Sequence, residues 1–339
     1  LQNLGAPFSE TDSERAGVFL TNALTGWEPP REPKTHLGFP EMEQERDAAE
    51  EVKREKPILV ILGNPPYNAF AGVSPVEEQG LVEPYKEGLI SEWGIKKFNL
   101  DDLYIRFFRL AERRIAEKTG QGVVAFISNF SYLSDPSFVV MRKRFLAEFD
   151  ALWFDCMNGD SRETGKLTPE GKPDPSVFST EYNREGIRVG TAIGLLVRDT
   201  ERRKKPIVRF RQFWGVNKRA DLLESLARKR FNGQYETMEP ATDNRFSFTA
   251  SAVLSDYVRW PRIVELSAIP PSNGLMEKRG GALMAYDRDD LEKRMQAYFN
   301  EKLDWDEYKA LGYGLTQKQA GFDPKAARKK VIASEKFDL

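Results

Sequence analysis

The sequence predicts an α/β fold, a sheet whose strands are joined by crossover helices. Two observations predict it. Apolar runs of strand length recur at PILVIL (Pro57–Leu62), GVVAFIS (Gly122–Ser128), ALWFDCM (Ala151–Met157) and GIRVGTAIGLLVR (Gly186–Arg198). Between them lie segments whose apolar residues repeat at helical spacing, which is the grammar of an α/β sheet.

The elements follow in order. A short apolar segment, AGVFLTNAL (Ala16–Leu24), precedes a Pro-rich loop, EPPREPKTHLGFP, and then an acidic helical pattern, PEMEQERDAAEEVKRE. That charge run reads as a solvated helix face. PILVIL is apolar throughout, as expected of a strand covered on both faces. Residues 72–98 are loop-like and rich in Gly, Pro and Glu. Asn99 or Asp101 can cap the next helix, with Leu103, Phe107, Leu110, Ala111 and Ile115 on one stripe and Gly120 as its stop. A helix after Pro136 should turn Phe138, Met141, Phe145 and Phe149 inward. No internal repeat or low-complexity tract is visible.

Composition narrows the chemistry. The chain has 339 residues, long enough for two domains, and a net charge of −1. No apolar run has the roughly 20 residues needed to span a bilayer, so no membrane partner is expected. Cys156 is the single cysteine and His36 the single histidine. A lone cysteine excludes an internal disulfide and a Cys-based zinc site, and fits a reducing cytoplasm. Cys156 sits in an apolar run and reads as core; His36 reads as a surface-loop residue. Ser-His-Asp and Cys-His catalysis both need a histidine base, and zinc usually needs imidazole or thiolate. An enzyme built on this chain works without them and without a metal.

Character changes near Arg198. From Arg198 to Arg230 there are twelve Lys and Arg against four Asp and Glu, interleaved with Phe210, Phe213 and Trp214. Basic groups among aromatics suit a phosphate backbone. Arg202, Arg203, Lys204, Lys205, Arg209 and Arg211 are the candidates for that contact; a solvated linker beside a core is the competing reading.

The stretch that carries most information is LVILGNPPYNAF (Leu59–Phe70). An apolar strand ends in Asn64, Pro65, Pro66 and Tyr67, at the position where α/β sheets bind ligands. The Asn64 side-chain oxygen and the Pro65 carbonyl are acceptors, and neither proline has a competing N–H. The rings stiffen the turn so that both acceptors can point at one –NH₂ group. That group would donate both hydrogens, and its lone pair would be drawn out of conjugation. Tyr67 offers a face for a planar base. The residues fit the activation of an exocyclic amine by geometry and electrostatics.

GNPPY after an apolar strand resembles motif IV of the amino-methyltransferases that use S-adenosylmethionine. NLDDLYIRFFRLAERRIAEKTGQGVVAFISNFSYL is similar to the motif V helix and motif VI strand of the adenine-specific DNA methyltransferases. PSVFSTEYNREGIRVGTAIGLLVR resembles motif VIII, where a phenylalanine packs on the flipped base; here that is Phe178, with Phe130 as competitor and ordinary packing as the alternative. With AGVFLTNAL, LVEPYK, NGDSRETGK and WGVNKRADLLESL, the chain resembles the methyltransferase segment of the single-chain type ISP restriction-modification enzymes.

The resemblance implies a partial Rossmann-like methyltransferase sheet, followed by a mixed α/β target-recognition region. Residues 1–200 would form the C-terminal part of the catalytic domain (motifs III–VIII). Residues 201–339 would form a basic linker and the start of target recognition. The implied cofactor is S-adenosylmethionine, near Asn22 (motif III) and Asn64. The implied partners are double-stranded DNA and upstream methyltransferase, translocase and nuclease parts of a larger polypeptide. The family's Phe-x-Gly-x-Gly cofactor loop is not found, and GYGLTQKQAGF follows no credible strand. The chain starts at Leu1 rather than Met, so the first strands and that loop are expected upstream. Two other functions compete: an amino-methyltransferase acting on protein glutamine or RNA, and a catalytically silent DNA-binding module.

Overall fold

A computed structural model describes residues 17–28, 38–67, 78–227, 231–250, 257, 259–262, 265–266, 281–318 and 322–334. His36 lies outside them. The chain divides into two compact units, Leu1–Ala252 and Val253–Leu339. The division falls later than the change of composition at Arg198, because the basic stretch itself forms sheet.

The first unit is a partial Rossmann-like α/β sheet. Its strands are β1 (Val60–Gly63), β2 (Gly122–Asn129), β3 (Ala151–Asn158), β4 (Thr191–Arg198), β5 (Ile207–Gln212) and β6 (Glu236–Met238). Their order across the sheet is β1-β2-β4-β3-β5-β6. β1 runs parallel to β2 and β3 parallel to β5, whereas β4 is antiparallel to both β2 and β3. The reversal follows from the connection. β3 and β4 are joined by a loop that returns at the same end of the sheet, with no helix to carry the chain back.

The expectation for PILVIL is corrected. β1 is an edge strand, and Leu59, Val60 and Leu62 are exposed, Leu62 by 72%. A continuous apolar run is what a covered strand needs. Here the cover on the outer side of β1 is not supplied by the described residues.

Helices α1 (Pro40–Glu55), α2 (Glu83–Lys86), α3 (Leu103–Glu112), α4 (Val139–Glu148) and α5 (Lys218–Leu226) complete the unit. Asp102, not Asn99 or Asp101, is the N-cap residue of α3, while the Asn99 side chain accepts from the Asp101 N–H instead. α3 runs on into a π-helix, Arg113–Thr119, and Gly120 ends it at φ +82° with its N–H on the Ile115 carbonyl. Burial spreads around α3 from its first turn, Tyr104, Ile105 and Arg106 included, beyond the single stripe that the spacing predicts, because the preceding segment covers the other face with Glu78 on Arg106 and Tyr85 on Glu112.

Phe138, Met141, Phe145 and Phe149 all face the core. Phe108 lies at its centre, with ring centroids 5.1 Å from Phe126, 5.0 Å from Tyr132 and 5.4 Å from Phe145. Such pairs add about 0.5–1.5 kcal/mol each beyond the area they bury. Arg142 is fully buried and donates to the carbonyls of Tyr132, Asp135 and Arg245. It thereby ties the segment after β6 to this core, where Phe248 stacks on Phe154 at 4.6 Å.

Gly122 sits at φ +141°, and a Cβ there would stand 2.4 Å from the Leu59 carbonyl oxygen. Gly122→Ala should therefore destabilise the fold by at least about 2 kcal/mol, read as a lowered denaturation midpoint.

Cys156 is buried, 4% exposed, and burial pushes its thiol up to about 11. The folded thiol holds its proton more tightly than the unfolded one. It therefore costs no stability at neutral pH, and stability falls as pH rises from the ordinary thiol range through 11. At pH 8 a thiol reagent should modify Cys156 only at the rate of unfolding; fast labelling of the native chain would contradict its place in the core.

The second unit holds α6 (Arg288–Phe299), α7 (Trp305–Ala310) and α8 (Pro324–Ile332). Its small core gathers Ala282, Tyr298, Tyr308 and Leu315. Buried Arg328 knots it by donating to the carbonyls of Tyr298, Asn300 and Leu303 under the Tyr308 ring. Among the described residues no helix is long and apolar enough to cross a membrane.

Candidate active site

β1 delivers its last residue, Gly63, against the Phe126 ring, where a Cβ would come within 3.1 Å. The chain then leaves the sheet at the carboxyl end of β1 through Asn64, Pro65, Pro66 and Tyr67. Asn64 and Pro66 are exposed, Pro65 is buried and Tyr67 half-buried. The two prolines restrict the corner, and Pro65 anchors it below the surface. The Asn64 amide is thus held outward by a buried hinge.

Tyr67 packs inward. Its ring meets Tyr104 edge-on at 6.3 Å, and its hydroxyl lies 3.4 Å from both the Asn64 Oδ1 and the Ile127 carbonyl. Burial pushes the phenol up to about 12, so it stays protonated at neutral pH. Contact with the Asn64 oxygen orients the amide oxygen acceptor.

A cleft of about 320 Å³ opens beside this corner. Asn64 and Pro65 line it together with β1 residues and with Ala23, Trp27, Phe107 and Phe126. The N-terminal segment is irregular at residues 17–22 and is held in place by buried Lys53 of α1. The Lys53 ammonium donates to the Thr21 hydroxyl and to the carbonyls of Asn22 and Thr25. Trp27 donates to the Ala23 carbonyl and carries the Arg114 guanidinium over its ring at 4.7 Å. Asn22 is exposed, with its Oδ1 accepting from the Leu24 N–H. Its neighbour Ala23, rather than Asn22, lines the cleft.

The loop from Gly159 to Gly190 leaves the sheet at the same end of the strands as Asn64–Tyr67, since β1 is parallel to β2 and β4 begins where β2 ends, Thr191 against Asn129. Two buried carboxylates fasten it. Asp160 accepts from the N–H groups of Arg162, Glu163 and Gly190. Asp174 accepts from Gly159 and Gly215 N–H and pairs with the Lys218 ammonium at 2.6 Å. Lys218 also donates to the Met157 carbonyl. NGDSRETGK and WGVNKR supply these parts, and their spacing along the chain gives no hint that Asp174 joins them.

Phe178 lies on this loop and is half-buried. Phe130, just after β2, lies against Gly190, where a Cβ would come within 2.6 Å of its ring. It lines a separate small cavity of about 150 Å³ with Asp135, Asn158, Glu163 and Gln212.

Of the basic candidates, Arg202, Arg203, Lys204 and Lys205 are exposed. Arg202 holds the buried Asp150 carboxylate at 3.0 Å, and Lys205 pairs with Glu239. Arg209 lies over the Trp153 ring at 5.2 Å. Arg211 is buried, paired with Asp155 across β3 and β5, and surrounded by Phe213, Phe231 and Tyr235. Among the described residues no cluster of His, Cys, Asp or Glu is arranged to hold a metal.

No protein-family model matches the sequence, and no curated protein matches it. Solved structures do resemble it, and they include type ISP restriction-modification enzymes bound to DNA. One is the ATP-dependent type ISP restriction-modification enzyme LlaBIII bound to DNA, at 18% identity over 86% of this chain and 20% of that one, with a TM-score of 0.54. A second is a nuclease-deletion mutant of the type ISP enzyme LlaGI in complex with a DNA substrate mimic, at 21% identity over 65% of this chain and 20% of that one (TM-score 0.47). A third is a DrdV–DNA complex, at 25% identity over 61% of this chain and 19% of that one (TM-score 0.46). The likeness to the LlaBIII structure shows a shared fold. This chain spans about a fifth of the length of each.

Proposed function

We propose that this chain carries the acceptor side of a DNA methyltransferase that modifies the exocyclic amine of adenine, within a restriction-modification enzyme. The observation that carries the reading is the Asn64–Tyr67 corner. It ends an edge strand, presents its amide to solvent and borders a cleft. A corner folded inward, or sealed by neighbours, could not take a base.

In this reading a target adenine leaves the duplex, because its amine is unreachable while stacked. Tyr67 supports the base, and Phe178 approaches from the loop fastened by Asp160 and Asp174. The Asn64 oxygen and the Pro65 carbonyl accept the two amine hydrogens, which pyramidalises the nitrogen and exposes its lone pair. Fixing that geometry before reaction is where the rate gain lies.

S-adenosylmethionine would supply an electrophilic methyl group. The apolar cleft along β1, with the Trp27 ring and the Asn64 amide, suits a purine and a thioether. The unpaired outer edge of β1 suits the further strands that such a sheet carries. Arg203 and Lys204 would meet phosphate, since the carboxylates of Asp150, Glu239 and Asp155 already engage Arg202, Lys205 and Arg211.

The test offers competing acceptors to the intact polypeptide. With labelled S-adenosylmethionine, duplex DNA should take up methyl groups, and RNA and glutamine-containing protein should not. Labelling of protein or RNA in preference to DNA would assign the same corner to a different substrate.

A further inference from the structure

We infer that Tyr182 is a DNA-stacking side chain that enters the duplex beside the reaction site and fills the gap left by the displaced adenine; this rests on the function proposed above. Tyr182 is 100% exposed, so its ring contributes nothing to the core. The backbone that carries it is nonetheless closely built. The Thr180 N–H donates to the Asn183 carbonyl at 2.9 Å, the Asn183 N–H to the Thr180 hydroxyl at 3.0 Å, and the Gly186 N–H to the Asn183 Oδ1 at 3.0 Å. Lys166 donates to the Glu185 carbonyl, and Arg188 pairs with the Glu185 carboxylate. Gly186, at φ +61°, seats the base of the turn on Ser176 and Ser179, where a Cβ would come within 2.9 Å.

The turn therefore stands on the segment that holds Phe178, in the loop fastened at its roots by Asp160 and Asp174. That loop leaves the sheet at the end of the strands where β1 delivers Asn64–Tyr67, two strands away in the sheet order. An aromatic ring held out by an ordered turn loses little freedom on meeting a flat partner. The faces of DNA bases are such partners, and every base has one. Its exposed charged neighbours in sequence are Glu181, Arg184 and Glu185, so the tip is no general grip for phosphate. Its chemistry selects a base face.

The experiment uses the intact polypeptide and a duplex with 5-iododeoxyuridine opposite the target adenine. Irradiation should crosslink that base to Tyr182, identified by peptide mass spectrometry. With 2-aminopurine at the target position, Tyr182→Ala should lower duplex affinity and the fluorescence gain on displacement roughly tenfold, and Tyr182→Phe should behave as wild type. Absence of the crosslink, with an unchanged Tyr182→Ala signal and normal adenine methylation, overturns the stacking role and leaves the function standing. A crosslink at Tyr182 without any adenine methylation sustains the stacking role and overturns the function. A crosslink between Tyr182 and another polypeptide, with none to DNA, assigns the tip to a protein partner and overturns the inference.

Discussion

Asn64→Ala in the intact polypeptide should lower the rate of methyl transfer by about two to three orders of magnitude, the cost seen when one preorganised polar group is removed from a reacting centre. The loss should fall on turnover rather than on DNA affinity, because in the proposed reaction Asn64 would touch the acceptor nitrogen and not the backbone of the duplex. Alanine is tolerated by the fold here. Asn64 is exposed, and among the described residues its side chain hydrogen-bonds to the Tyr67 hydroxyl alone, at the long distance of 3.4 Å. Tyr67→Ala should be milder, about 1–3 kcal/mol of base binding, with an added packing loss against Tyr104. Single-turnover kinetics with saturating DNA separate the two. Normal turnover in Asn64→Ala would remove the amide from the chemistry.

Asp174→Ala should cost about 3–5 kcal/mol of stability. The Asp174 carboxylate is fully buried and holds three partners from distant parts of the chain: Gly159 N–H, Gly215 N–H and the Lys218 ammonium. Its removal leaves the Lys218 charge buried against the Met157 carbonyl alone. Burial already draws the Lys218 ammonium below its ordinary range, and the loss of Asp174 takes away the partner that opposes this. Folding of Asp174→Ala should therefore improve as pH rises, since the orphaned lysine can shed its proton. Chemical denaturation at pH 7 and pH 9 reads both effects. A variant as stable as wild type would show that the loop does not depend on this carboxylate.

Local features of the fold were legible in the sequence. The apolar runs at Gly122–Ser128 and Ala151–Met157 became β2 and β3, Gly120 ended its helix, and Cys156 went to the core. Each is decided by neighbours in sequence: periodicity, a left-handed stop, an apolar context. What failed depends on partners far away. PILVIL is apolar enough for a covered strand, but nothing within it says which side of the sheet is open. The antiparallel sense of β4 is set by the route of the loop before it. The second buried face of α3 is set by Glu78 on Arg106 and Tyr85 on Glu112, partners that spacing within the helix does not reveal.

The candidate site shows the same division. Asn64–Tyr67 could be read as a strand-ending corner because its two prolines and its place after an apolar run lie within one short stretch, and the structure sets that corner beside a cleft. Counting charge from Arg198 to Arg230 singled out Arg211, yet register places it opposite Asp155 and inside an aromatic ring cluster. A composition cannot see a partner on another strand. Lys53, which holds the N-terminal segment, Trp27, which lines the cleft, and Asp160, Asp174 and Lys218, which fasten the Gly159–Gly190 loop, went unread for the same reason.

The claim underneath all of this is that the exposed amide and its neighbouring carbonyl act on an amine. Identification of the methylated atom tests it most directly: duplex DNA incubated with the intact polypeptide and isotopically labelled S-adenosylmethionine, digested to nucleosides and resolved by mass spectrometry. The account predicts label on the N6 of adenine, lost in Asn64→Ala. Label on the C5 of cytosine, or N6 label undiminished in that variant, would contradict it.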